Sequence, residues 1–304
     1  MPRIVSLISS ATEIVHALGQ TPSQVGRSHE CDFPAEIAAL PVCTKPTIDI
    51  YADSREIDRS VKDRVRNALS VYEVFDDVLE RLQPTHIITQ TQCEVCAVSL
   101  RDVERSVASQ LASRPKIVSL TPNSLADVWD DIRRVAGAIG IAEHGETVVA
   151  ALQARMCAIS EKAHAARERL PVALIEWIEP LMATGNWMPE LVEMAGGVNL
   201  LGERDKHSGY LSWEEIAASD PDVIIVCPCG FDIARTKSEM YWLTRRPEWP
   251  TMRAVRDGRV YLADGNQYFN RPGPRLVETL QILAEVLHPK VFAPALEGGG
   301  WRRL

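Results

Sequence analysis

No stretch of this 304-residue chain comes near the roughly 18 consecutive apolar residues that a membrane-spanning helix needs. A basic surplus is missing as well: 33 Lys and Arg stand against 41 Asp and Glu, a formal net charge of −8. Without a clustered basic face the chain has little with which to neutralise nucleic-acid phosphates, and no polybasic segment to hold it on an anionic lipid surface. Signatures of common cofactor and catalytic sites are absent too. No G-x-G-x-x-G follows a strand, and there is no G-x-x-x-x-G-K-[ST], H-E-x-x-H or G-x-S-x-G. Catalysis therefore has no support from motifs, and a binding protein is the better expectation. The first residues lack the basic start, the apolar run of about 7–15 residues and the small-residue cleavage site of a secretory signal. They form instead a short β-like run, Arg3-Ile4-Val5-Ser6-Leu7-Ile8, that turns at once into Ser9-Ser10-Ala11-Thr12-Glu13. The cysteine count, seven, is odd and suits reduced thiols better than a disulfide framework. Both features point to a cytoplasmic protein, or to a periplasmic one if a signal peptide has been trimmed away.

What is present is an alternation of short Val- and Ile-rich runs with longer amphipathic stretches, the pattern of βαβ units around parallel sheets. The clearest strands are predicted over 4–8, 86–89, 116–120, 172–176, 223–227 and 259–262, with a further one around 24–27. Helices are predicted over 12–18, 71–82, 98–112, 125–139, 188–195 and 274–287.

The strongest organisational signal is an internal echo. Leu82-Gln83-Pro84-Thr85-His86-Ile87-Ile88 matches Ser219-Asp220-Pro221-Asp222-Val223-Ile224-Ile225. In each copy a helix stops before a proline, which cannot continue it, and a buried strand starts two residues later. The strand-then-helix over 3–19 pairs in the same way with that over 171–196. A duplicated unit explains both, and predicts two similar α/β lobes with parallel sheets facing each other across a ligand cleft. Between them, 143–169 has no proline and is rich in Ala, Glu, Gln, Lys and Arg, all strong helix formers. The reading is an N-terminal lobe over 1–142, one long linking helix over 143–169, a C-terminal lobe over 170–291 and a peripheral or disordered tail over 292–304. A helical connection is stiffer than a Gly/Ser linker, so small adjustments are expected rather than wide hinge closure.

Ligands of open α/β sheets sit beyond the carboxyl ends of the strands. That rule selects Ser9, Ser10 and Thr12 after the first strand, then His29, Glu30 and Cys31, then Lys45, and then Gln90, Gln92 and Cys93. From the C-terminal half it selects Trp177, Trp187, Cys229, Asn266, Tyr268, Phe269 and Arg271. All of the cysteines except Cys157 fall in these loops. The thiols could pack beneath the loops as small hydrophobes, contact a bound ligand or its metal, or form a closed metal site. Cys93-x-x-Cys96 has the spacing of half such a zinc or iron site, with Cys227, Cys229, His29 or Cys31 needed to complete it. Four aromatic residues in the selected loops, Trp177, Trp187, Tyr268 and Phe269, would suit a large planar or macrocyclic ligand. By contrast Ser212-Trp213-Glu214-Glu215 reads as a helix start with a capping box, and Trp129 as core. His86 and His16 read as structural, and His144, His164 and His288 as solvated.

The opening segment from Arg3 to Glu13 resembles the first motif of the helical-backbone substrate-binding proteins of ABC importers for cobalamin, siderophores and haem. Leu82-Gln83-Pro84-Thr85-His86-Ile87-Ile88, Gly196-Gly197-Val198-Asn199-Leu200, Trp213-Glu214-Glu215-Ile216 and Asp220-Pro221-Asp222-Val223-Ile224-Ile225 agree with it. The likeness extends over about 3–290. His29-Glu30-Cys31-Asp32-Phe33-Pro34 and Gln92-Cys93-Glu94-Val95-Cys96-Ala97-Val98 are similar to a cobalamin-binding subgroup. The resemblance implies two Rossmann-like lobes, a rigid connecting helix, and binding of a bulky metal chelate without catalysis. The leading expectation is therefore a corrinoid, covered by the flat aromatic faces. Gln90, Gln92 and Asn266 would read its amides, Arg271 would meet a phosphate or carboxylate, and a thiolate or His29 would approach the metal. The alternatives are a metalloenzyme or redox protein built on Cys93, Cys96 and the opposing cysteines, and a siderophore- or haem-binding importer component docking on an ABC permease.

Overall fold

A run such as Val223–Val226, apolar at every position and buried at every position, can only be an interior strand of a parallel sheet. The computed structural model describes residues 1–67, 69–91 and 113–304. The helix expected over 98–112 and the candidate residues Gln92, Cys93 and Cys96 lie outside the described residues. The chain divides into two compact units. One comprises Met1–Ala52, Glu56–Pro122 and Ala126–Ala151; the other comprises Asp53–Arg55, Asn123–Leu125 and Leu152–Leu304.

The first unit holds β1 (Ile4–Ser6), β2 (Gln24–Arg27), β3 (Thr44–Pro46), β4 (Tyr72–Val74), β5 (His86–Gln90) and β6 (Lys116–Leu120). Its main sheet runs β2-β1-β5-β6, all parallel, while β3 and β4 make a separate antiparallel pair. Helices α1 (Ser9–Ala17), α2 (Ser54–Arg66), α3 (Asp76–Leu82) and α4 (Leu125–Ala138) connect these strands or follow them, with Ser54 and Arg55 of α2 and Leu125 of α4 counted in the other unit. Val5, Leu7, Cys43, Leu79 and Ile87 form its central cluster. The single helix expected over 71–82 is instead a strand, Tyr72–Val74, followed by α3. Val71-Tyr72-Glu73-Val74-Phe75 is β-branched and aromatic, residue types that fit a pleated surface better than a helix. Phe75 is extended, at φ −90° and ψ 93°, and separates the two elements.

The stretch over 143–169 contains one 24-residue helix, α5 (Ala142–Ala165), about 36 Å long at 1.5 Å per residue. The division between the units falls along it, between Ala151 and Leu152. Gly145, Val149, Leu152, Met156 and Ala163 are its buried residues, spaced as one helical stripe. Gly145 is needed where α5 meets α4, because a side chain there would press on the Ala136 methyl. The helix stops at Ala165 rather than 169 because Arg167 takes the left-handed conformation, φ 57°.

The second unit contains β7 (Pro171–Trp177), β8 (Met182–Ala183), β9 (Val198–Asn199), β10 (Val223–Val226), β11 (Val260–Ala263) and β12 (Trp301–Arg303). The order is β12-β11-β10-β7-β8, with β9 also on β7; β7, β10 and β11 are parallel. Helices α6 (Met188–Met194), α7 (Trp213–Ser219), α8 (Ile233–Glu239) and α9 (Leu276–Leu287) belong to this unit. The capping box expected for α7 is present: Ser212 accepts from the Glu215 N–H, and the Glu215 carboxylate accepts from the Ser212 N–H. The internal echo also has a backbone signature. Gln83 after α3 and Asp220 after α7 both adopt left-handed φ, 44° and 36°, and each is followed by proline and then by a strand. No helix among the described residues is long and apolar enough to cross a membrane.

The tail over 292–304 is ordered rather than disordered. Phe292 and Trp301 are buried, and β12 adds an antiparallel edge strand to β11, pairing Ala263 with Trp301. Trp301 donates its indole N–H to the buried Glu285 carboxylate at 2.8 Å, and the Leu296 N–H does so at 3.1 Å. Replacing Trp301 by Ala removes a buried ring and leaves Glu285 short of a donor, so the unfolding free energy should fall by about 3 kcal/mol. Urea denaturation checks this, and a loss under about 1 kcal/mol would mean that the tail contributes little to the fold.

Candidate functional site

In the first unit the carboxyl ends of β1, β2 and β5 carry most of the selected residues. β1 runs into Leu7 and Ile8 and then directly into α1, so Ser9, Ser10 and Thr12 occupy the first turns of that helix and are all buried. β2 runs into the loop with Ser28, His29, Glu30 and Cys31; Cys31 is buried while His29 and Glu30 are half-buried. Gln90 ends β5 and is buried, whereas Lys45 on β3 is exposed. Lys45 pairs with Glu73 across the β3–β4 ladder at 3.0 Å, and its ammonium lies 5.6 Å from the centre of the Phe75 ring.

These side chains form a hydrogen-bonded set. Thr12 donates to Cys31 Sγ at 3.0 Å, and Gln24 Nε2 donates to Thr12 Oγ1 at 3.1 Å. Thr44 Oγ1 donates to Ser28 Oγ at 3.1 Å and accepts the backbone N–H of His29, also at 3.1 Å. Its remaining contact, 2.8 Å from His29 Nδ1, must then accept a proton from the ring. The proton therefore sits on Nδ1, and Nε2 is a bare lone pair, buried and without a hydrogen-bond partner. Burial holds the His29 pKa down to about 4, with the Arg27 guanidinium adding repulsion. The ring is neutral at pH 7, so its 3.9 Å approach to Glu30 Oε1 is not an ion pair. Tyr72 completes the group, its hydroxyl donating to Glu30 Oε1 at 2.8 Å and its ring centre 5.2 Å from that of His29.

Thr44 belongs to the same strand-end segment as the selected Lys45, whereas Tyr72 was not selected from the sequence. Thr44 is held beside this loop because the Cys43 N–H donates to Arg27 O at 2.8 Å, and Tyr72, far from His29 along the chain, joins it through the β3–β4 pairing, with Pro46 opposite Tyr72. The alternating Tyr72-Glu73-Val74 was the available signal for that strand.

In the second unit the loops after β7, β10 and β11 are tied to one another. Backbone N–H groups of Cys227 and Cys229 donate to Ile175 O and Glu176 O at 2.9 and 3.1 Å. The N–H groups of Gly265 and Asn266 donate to Phe231 O at 2.9 and 3.1 Å, and Asn270 Nδ2 donates to Cys227 O at 2.8 Å. Gly265 is required at this crossing, because any Cβ would collide with the Pro228 carbonyl. The segment Gly265–Phe269 makes a wide π-type turn capped by Asp264, whose carboxylate accepts the Gln267 N–H at 2.7 Å.

On this rim Trp177, Cys229, Asn266 and Tyr268 are half-exposed. Trp177 donates its indole N–H to Ser54 O at 3.1 Å and packs its ring 5.2 Å from Phe231. Arg275 lies 5.1 Å from the Tyr268 ring centre and donates to Gln267 Oε1 at 3.1 Å. Arg271 is buried and donates to Asn266 Oδ1 at 3.0 Å, which fixes the amide in place. Two residues expected on a ligand wall are interior instead. Trp187 is 5% exposed and donates to Phe269 O at 3.2 Å, and Phe269 is fully buried. Their apolar bodies complete the core between α6 and the turn, which offers more burial than a rim position.

The cysteines separate by environment. Cys43 and Cys227 are fully buried, and burial pushes the Cys43 thiol up to about 12 and the Cys227 thiol well above its ordinary value. Both are protonated core thiols at neutral pH, poor metal ligands and poor nucleophiles. Among the described residues no group of three or more His, Cys, Asp or Glu side chains is placed to hold a metal ion. His288, expected to be solvated, is buried, and its Nε2 donates to Ala195 O at 2.9 Å, an interior partner that sequence spacing could not reveal. Beside the edge strand β2 lies one further hollow, a cavity of about 550 Å³ lined by residues that include His16, Gln24, Glu36 and Leu40.

Residues 4–266 match the family described as periplasmic binding protein. The uncharacterized ABC transporter substrate-binding lipoprotein YvrC of Bacillus subtilis (strain 168) is 23% identical over 297 residues, covering 95% of this chain and 81% of that protein. The periplasmic heme-binding protein RhuT from Roseiflexus sp. RS-1, in apo form, is similar at a TM-score of 0.70 and 23% identity, with 95% of this chain and 99% of that one covered. The periplasmic vitamin B12 binding protein BtuF of Vibrio cholerae is similar at a TM-score of 0.64 and 19% identity, with coverage of 94% and 96%. These structural likenesses show a common fold.

The state of His29 makes stability depend on pH. Its folded pKa is depressed, so below the unfolded value of 6.5 the unfolded chain takes up a proton that the folded chain refuses. This contribution is fully present above pH 6.5 and is lost as pH falls toward about 4. It should amount to about 2–3 kcal/mol over that interval, and His29→Asn should remove it. Chemical denaturation at stepped pH, with the imidazole followed by NMR, checks both points. A ring that titrates near 6.5 would contradict the assignment.

Proposed function

The chain belongs to the periplasmic binding protein family, and from that premise we propose that it is the ligand-binding component of an ABC importer, holding a bulky metal chelate without transforming it. The chelate is a corrinoid, a haem or a ferric siderophore. A relative named for an ABC transporter and neighbours named for heme and for vitamin B12 support this class, and they support haem and corrinoid equally. The observation that carries the reading is the rim of the second unit. There the half-exposed rings of Trp177 and Tyr268 and the Asn266 amide, held by Arg271, lie on loops tied to one another by backbone hydrogen bonds. Flat apolar faces with a few fixed polar groups are what a large ring with polar edges requires. His29, with its neutral ring and bare Nε2, is the residue of the first unit best suited to approach a transition metal.

The cysteine-based alternative is weaker chemically. One of the thiols that would have to complete it, Cys227, is held protonated in the core. Family membership also favours a location outside the cytoplasm over the cytoplasmic one expected from the first residues, with an ABC permease as the membrane partner.

Cyanocobalamin, haemin and a ferric hydroxamate should each be titrated into the protein while visible absorbance and heat are recorded. We expect one of them to give a saturable 1:1 spectral change. We expect Trp177→Ala to weaken it about tenfold through loss of ring stacking. Three flat titrations would overturn the reading.

A further inference from the structure

The first turn of α1 leaves its donors unmatched. Every α-helix begins with N–H groups that no helical carbonyl can reach. Here the residue before the helix is Ile8, extended at φ −149° and ψ 150°, which has no side-chain oxygen to cap them. Thr12 donates back to Ile8 O at 3.4 Å, but the N–H groups of Ser9, Ser10 and Ala11 have no partner among the described residues. The first turn contains no acidic side chain to offset the positive end of the helix dipole.

A second observation is independent of the helix end. Ser10 is 1% exposed and its hydroxyl has no hydrogen-bond partner; the same holds for the Ser6 hydroxyl at the end of β1. Buried hydroxyls are ordinarily bonded, so each unbonded one asks for an explanation. Cα–Cβ bonds in a helix tilt toward its N-terminus, which puts the Ser10 side chain on the side of the turn that the free N–H groups face. Ser9 retains 7% exposure and Ile8 5%, so the turn borders the surface at Ser9, while Ser10 keeps 1% and Ala11 is fully buried. β1 lies inside the sheet beside β2, and the turn therefore shares its carboxyl rim with the His29 loop.

We propose that this turn binds an oxyanion, a carboxylate or phosphate carried by the ligand. The N–H groups of Ser9, Ser10 and Ala11 donate to its oxygens, and the Ser10 hydroxyl donates beside them. The source of the oxyanion rests on the chelate-binding reading above, since haem carries carboxylates and cobalamin a phosphodiester; the site itself does not.

The test uses the full-length protein, labelled with nitrogen-15 and titrated separately with inorganic phosphate and with sodium propionate, with chloride at matched ionic strength as control. The amide resonances of Ser9, Ser10 and Ala11 should shift and saturate, and the tighter of the two anions identifies the group that the turn prefers. Ser10→Ala should weaken binding about five- to tenfold, the worth of one hydrogen bond, without lowering the melting temperature, because the hydroxyl has no partner to lose. Ser9→Pro is a second variant. Proline is favoured at the first helical position and Ile8 is already extended, so the helix is kept while one donor disappears. It should weaken binding comparably. Shifts that stay linear, that fall outside 8–12, or that both variants leave unchanged would overturn the proposal. Saturating phosphate or propionate shifts in a protein that binds no chelate would uphold the oxyanion site and refute only the chelate.

Discussion

Parallel strands in the interior of a sheet leave no room for polar chemistry along their length, and this constraint organises the whole chain. Val223–Val226 is buried at every residue, and Ile4–Ser6 likewise. Any group that must meet a ligand is therefore confined to the strand ends. Once the backbone leaves the ladder it needs other partners, and the chain supplies them loop by loop. In the second unit Phe231 O accepts from Gly265 and Asn266, and Asn270 holds Cys227 O. In the first, Thr44 and Ser28 hold the His29 loop. Much of each rim is thus tied together by hydrogen bonds between loops.

The fold was legible in the sequence wherever one period or one breaker dominated. The prolines at 84 and 221 each marked a helix end and a strand start, and both prove to follow a left-handed residue. The 24-residue helix, Ala142–Ala165, was legible because it has no proline and its many strong helix formers outweigh the single Gly145. The segment over 71–75 was misread because its few residues fit two periods and only pairing with β3 decides between them. Of the two readings of the tail, peripheral or disordered, the second fails: its glycines suggest disorder, while the contact that orders it, Trp301 on Glu285, spans sixteen residues.

The candidate site was less legible, for a physical reason. Sequence places an aromatic residue near a strand end but cannot say which way its ring turns. Trp177 and Tyr268 remained half-exposed, whereas Trp187 and Phe269 turned inward to fill the core. Thr44, whose hydroxyl meets His29 Nδ1, and Tyr72, whose ring packs beside it, are not neighbours of His29 in the sequence. Several rim groups are also less well satisfied than the fold alone would ask. His29 Nε2 and the Ser10 hydroxyl are buried without partners, a cost that folded proteins usually tolerate where function needs the group free.

The central claim is that binding occurs on the carboxyl-end loops. Hydrogen exchange with and without saturating haemin or cyanocobalamin tests it most directly. The account predicts slowed exchange over 7–12, 28–31, 227–231 and 264–271, with little change elsewhere. Protection centred instead on residues around His16, Gln24 and Glu36, which line the hollow beside β2, would contradict it.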